Sequence, residues 1–142
     1  MLDWNPLRGV SLVNRIKRRE GKSNLRMDLN YREGDLNFRN RFEAVHTDTC
    51  GSGYLVYTGI RYSADYILEV RFILYETDSW EARIYEYENG LPGTFNIKQL
   101  YGSGRRLYFI AAEKTLPVDL YLKWGIDLGE EIEHKLGIAI SI

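Results

Sequence analysis

The segment HTDTCGSG, residues 46–53, sets His46, Asp48 and Cys50 at every second position. Three donors spaced this way at a strand end project to one side, as chelation of a metal ion requires. The sequence offers no fourth ligand and no second cluster, so a polar glycine-rich loop is the favoured reading and no metal or cofactor is expected. Cys50 as a nucleophile would need a base, and only His46 lies close by. YGSGRR, residues 101–106, places glycines beside two arginines, as a phosphate cradle would. It lacks the Lys-Ser/Thr pair and following helix of a P-loop, and reads as a hairpin turn. Glu76, Asp78, Glu81, Glu86 and Glu88 supply carboxylates enough for an acid–base pair or a calcium site. Spacing alone brings no two of them together, and loop solvation accounts for the set. The basic run from Ile16 to Glu20, with Lys22, reads as a solvated strand end. His134 falls in phase with Ile132 and Leu136 and reads as an interfacial residue. No catalytic constellation remains, and no enzyme is expected.

The elements that carry these residues follow from a period of two. Leu25, Met27, Leu29 and Tyr31 alternate with Arg26, Asp28, Asn30 and Arg32. After the Glu33-Gly34 turn, Leu36, Phe38, Phe42 and Ala44 alternate with Asn37, Arg39, Arg41 and Glu43. Tyr66, Leu68, Val70, Phe72 and Leu74 oppose Glu69, Arg71 and Tyr75, and Val118 to Ile126 oppose Asp119, Tyr121 and Lys123 in the same way. Such alternation with turn residues between runs signals antiparallel hairpins, and an amphipathic 3.6 period is absent. The expectation is one all-β domain over residues 1–142: an antiparallel up-and-down meander of about ten strands, forming a partial or closed transmembrane-type β-barrel. Residues 82–89, 94–101 and 105–114 are less cleanly patterned but rich in β-branched and aromatic residues.

Composition narrows the partners. The 19 Lys and Arg nearly cancel the 20 Asp and Glu, so no basic field points to nucleic acid. The single cysteine forms no internal bridge, and no apolar run is long enough for a membrane helix. The sequence starts with no signal-peptide pattern, which suits a protein that stays where it is made or the downstream part of a longer exported chain. The 11 tyrosines fit sheets with one apolar and one polar face, and also the aromatic belts of membrane barrels.

An alternating sheet must cover its apolar face, either by turning it inward around a core or outward to lipid. Several features favour lipid. Both charge signs recur within single polar faces, many runs reach the ~9–11 residues of membrane strands, and Tyr54, Tyr62, Tyr66, Tyr75, Trp80 and Trp124 stand near strand ends. The closing sequence KLGIAISI resembles the terminal β-signal by which outer-membrane barrels are recognised by their assembly machinery. Lys135 takes its polar position, Gly137 its glycine, and Ile138, Ile140 and Ile142 its apolar face, with isoleucine where an aromatic is commonest.

The stretch from Tyr75 to Phe109 resembles the C-terminal β-barrel region of bacterial helix-hairpin-helix domain-containing envelope proteins. The shared elements are Thr77-Asp78, Arg83-Ile84-Tyr85-x-Tyr87-Glu88-Asn89, Phe95, Tyr101-Gly102-x-Gly104 and Arg106-x-Tyr108. The helix-hairpin-helix repeats themselves are absent, and Gly90-Leu91-Pro92 departs from the usual continuation. The resemblance implies a bacterial outer-membrane location and a chain shortened relative to its relatives; it implies no reaction. The expected function is thus an outer-membrane barrel or barrel segment with an anchoring role, its partners being lipid and the assembly machinery. Glu69, Arg71, Asp119, Lys123, Glu131 and Glu133 are expected in the lumen. The alternative is a soluble β-barrel or sandwich, with the same apolar positions turned inward around a small ligand or against a protein.

Overall fold

Alternating polarity is satisfied only by extended chain, where successive side chains point to opposite faces. The computed structural model describes residues 2–4, 8–90, 96–113, 119–128 and 132–141, and these form strands and turns with no helix. The strands are β1 (Leu2–Trp4), β2 (Val10–Arg19), β3 (Lys22–Glu33), β4 (Leu36–Thr47), β5 (Gly51–Ser63) and β6 (Tyr66–Thr77). They continue as β7 (Ile84–Tyr87), β8 (Ile97–Leu100), β9 (Ser103–Glu113), β10 (Asp119–Leu128) and β11 (Ile132–Ser141).

Nine of them make one antiparallel sheet in the order β1-β2-β3-β4-β5-β6-β9-β10-β11. The all-β up-and-down meander is therefore observed. The sheet is not closed, for β1 and β11 form its edges and do not pair with each other among the described residues. Short turns set the register. Between β2 and β3 the two turn residues Glu20 and Gly21 have φ of 47° and 76°, the left-handed pair that matches the twist of a tight hairpin.

The less regular segments behave differently. β7 and β8 pair only with each other, while β6 pairs directly with β9, so the intervening hairpin leaves the meander and lies across one face of the sheet. It packs there because its own alternation is two-faced. Ala82, Ile84, Glu86 and Glu88 are buried, while Tyr85 and Tyr87 point away and are exposed. Ile84 and Leu100 join Val45, Leu55, Tyr57, Ile73, Tyr108 and Ile110 in a cluster of buried apolar residues between insert and sheet. Each fully buried aliphatic side chain there contributes about 1.5–3 kcal/mol.

The two faces of the sheet are thus unlike. On the covered face, Asp28, Arg41, Tyr57, Ile73, Arg106 and Asp127 form one cross-strand row from β3 to β10. On the open face, Tyr31, Phe38, Ile60, Val70, Phe109, Trp124 and Leu136 form another, from β3 to β11. Met27, Phe42, Val56 and Leu74 make a parallel row, as do Leu68, Ala111, Leu122 and Ile138. Nothing among the described residues covers this apolar face.

Candidate functional site

The covered face carries the chemistry. Glu69 and Arg71 on β6 are each 3 % exposed, and Glu86 and Glu88 on and just beyond β7 are 1 % and 2 % exposed. Ionised groups so deep persist only when paired and hydrogen-bonded. Arg71 donates through Nη1 to Glu86 Oε1 at 3.0 Å and to the Tyr87 carbonyl at 3.0 Å, and through Nη2 to Glu69 Oε1 at 3.2 Å. Its guanidinium also stacks on the rings of Tyr57 and Tyr108, at 4.6 and 5.3 Å. Gly59 lies opposite Arg71 in the register, and a Cβ there would already touch the arginine stem at 3.4 Å.

Every acid in the cluster has a donor. Arg41 bridges Glu86 and Asp28, both at 2.5 Å, and Arg26 reaches Asp28 at 2.7 Å. Glu69 accepts from Arg61 at 2.9 Å, from Asn89 Nδ2 at 2.7 Å and from the Tyr108 hydroxyl at 3.0 Å. Glu88 is paired with Arg106 at 2.9 Å and Lys123 at 3.2 Å, and Arg106 also reaches Asp127 at 3.3 Å. At the far end of the insert, Lys22 Nζ donates to the Glu81 carbonyl at 2.7 Å. Burial pushes the Glu86 carboxyl up, and the guanidinium groups of Arg71 and then Arg26 pull it back. The result is a lattice of opposite charges that ties the insert to β3, β4, β6, β9 and β10. It holds positions rigidly; it presents no nucleophile beside a base.

The residues expected in the lumen fall in different places. Glu69, Arg71 and Lys123 all lie on the covered face and all take part in the lattice. Asp119 lies in β10 opposite Ser141, and Glu133 in β11 opposite Asp127; their side chains and all of Glu131 lie outside the described residues. Of the residues expected to form a terminal assembly signal, Gly137, Ile138 and Ile140 lie in β11, with Ile138 and Ile140 exposed on the open face. Lys135 is placed by its backbone opposite Gly125, and Ile142 lies outside the described residues.

Two expectations are corrected. Glu86 and Glu88 are not solvated loop acids but the most deeply held carboxylates in the cluster. Tyr75 does not join a rim of aromatics, because it lies on the covered face against the apolar core. The remaining motifs stay apart. His46 Nδ1 meets Ser52 Oγ at 3.0 Å, Cys50 bonds locally with Thr49, and no cluster of metal-ligating residues forms among the described residues. Gly102 turns the chain into β9, with its carbonyl accepting from Thr77 N at 2.7 Å. Asp78 accepts from Ser52 N and Glu76 from the Tyr54 hydroxyl, each at a strand end.

No family model matches the chain, and no curated protein or solved structure matches it. No helix among the described residues is long and apolar enough to cross a membrane, which says nothing of strands.

Proposed function

We propose that this chain is a wall of an outer-membrane β-barrel whose open face meets lipid and whose covered face lines a plugged interior, with an anchoring and not a catalytic role. The observation that carries the reading is the inversion of polarity across the sheet. Ionised side chains are buried, while Leu25, Met27, Leu29, Phe42, Val56, Ile60, Leu68 and Val70 form a continuous exposed apolar surface on the other side. Contiguous apolar surface on this scale marks an interaction site, since water opposes it. Its height is suited to a bilayer: Tyr54 to Tyr62 on β5 spans about 27 Å along the strand. That is about 21 Å at a tilt near 40°, against an apolar band of about 25 Å in such barrels. Aromatics stand at both limits. Tyr62 packs on Tyr66 at 5.1 Å at one end, and Trp80 on Tyr101 at 5.6 Å beyond the other.

The β7–β8 insert supports anchoring over free conduction, because it lays buried ion pairs across much of the polar side of the wall. A ligand-binding soluble barrel would require the apolar positions to face an enclosed core, and here the insert covers the opposite face. The test is expression followed by membrane fractionation and gel mobility with and without heating. Sheet structure held only in detergent or bilayers, with a heat-dependent mobility shift, is the expected result. A monodisperse protein in plain buffer contradicts it.

A further inference from the structure

One part of the covered face is not filled. Between the insert and strands β9 to β11 lies a cavity of about 210 Å³, bordered by Glu88, Lys98, Arg106, Lys123 and Asp127. Its floor exists because β10 and β11 carry glycine there: Gly125 stands between Lys123 and Asp127, and Gly137 opposes Lys123. The volume equals about seven waters at ~30 Å³ each, room enough for a small ion.

The charge around the cavity is not balanced as it is elsewhere. Glu88 is paired with Arg106 and Lys123, and Asp127 with Arg106 through one oxygen, its other oxygen being buried without a hydrogen bond. Lys123 donates as well to the Asn89 carbonyl. Lys98 is left over. It is half-buried, and no carboxylate pairs with it among the described residues. Its nearest acid in register is Glu86, whose oxygens are taken by Arg71 and Arg41. Among the described residues three cations thus border the pocket with two acids, and a half-buried ammonium without a counter-ion is a favourable partner for an incoming oxyanion. We infer that this cavity is a binding site for a small oxyanion, a phosphate or a carboxylate, held by Lys98 with Arg106 and Lys123 as its charged wall. The inference does not depend on lipid at the open face.

Calorimetric titration of the folded protein with inorganic phosphate at low ionic strength, and separately with succinate, tests it. Lys98→Met removes the uncompensated charge. Gly125→Ala raises the floor without altering charge, and its Cβ would meet only ordinary contacts, 3.6 Å from the Leu107 carbonyl and Tyr108 Cβ. Circular dichroism checks that each variant keeps its sheet, and Gly125→Ala serves alone if Lys98→Met disturbs the insert. Saturable binding of either anion is expected, weakened about tenfold or more by Lys98→Met, as loss of a charge-assisted bond implies, and weakened also by Gly125→Ala. Absence of saturable heat with both anions, or wild-type affinity in the folded variants, overturns the site.

Discussion

Arg71→Met isolates what holds the insert to the wall. The guanidinium makes two ion pairs, one bond to the Tyr87 carbonyl and two ring contacts, all at 3 % exposure. Methionine keeps much of the apolar stem and removes the charge. Glu69 retains Arg61, Asn89 and Tyr108, but Glu86 is left with Arg41 alone in a site 1 % exposed. Removing one member of a buried pair costs about 3–5 kcal/mol, where a solvated pair would cost ~0–1 kcal/mol. Since whole domains are stable by only about 5–15 kcal/mol, the loss is large. Urea unfolding in the solvent that supports the fold, followed by fluorescence and circular dichroism, reads it directly. Glu86→Leu and the double variant complete a cycle. The double variant removes the stranded charge, so its cost is expected to fall about 1–3 kcal/mol short of the sum of the singles. Additivity within about 0.5 kcal/mol, or an Arg71→Met cost below about 1 kcal/mol, refutes a buried and coupled lattice.

Other outcomes follow from the same geometry. Leu122 lies on the open face between Ala111 and Ile138, so Leu122→Arg should cost about 2–4 kcal/mol if that face is at mid-membrane, and should abolish the heat-modifiable form. A Cβ on Gly104 would overlap the Tyr75 ring, so Gly104→Ala should lower stability by about 1–3 kcal/mol, and Tyr75→Leu should restore part of it in a thermal melt. Raising salt from about 0.1 to about 1 M shortens the screening length from ~10 to ~3 Å, yet the Arg71–Glu86 coupling energy should persist because both groups are shielded from solvent.

The positions and faces of the regular strands were legible because polarity alternation is a strictly local signal; that β7 and β8 leave the meander was not. Leu25 to Tyr31 and Tyr66 to Leu74 share faces as their spacing requires, whatever covers them. What alternation does not encode is which face is buried. In Ala82–Glu88 the sequence reads Glu86 and Glu88 as loop acids in water. The reverse holds, because Arg41, Arg71, Arg106 and Lys123 wait on strands far away in sequence. The same distance hid Arg41 and Arg106 as members of the cluster. Glu69, Arg71 and Lys123 could be singled out because each stands on the polar phase opposite a long apolar phase of its own strand. The roles of Gly59 and Gly125 were not readable, because only the register tells which neighbour gains the space a missing side chain leaves.

In the proposed barrel the open face, and not the covered one, meets lipid. The most direct measurement is a nitroxide scan along β10, residues 120–127, with Cys50 replaced by serine and the protein reconstituted in bilayers. Collision with oxygen, which concentrates in the acyl region, should peak at Leu120, Leu122, Trp124 and Ile126 and fall at Tyr121, Lys123, Gly125 and Asp127. The opposite phase, high collision at both sets of positions, or a protein that stays out of the bilayer would contradict a lipid-facing open face.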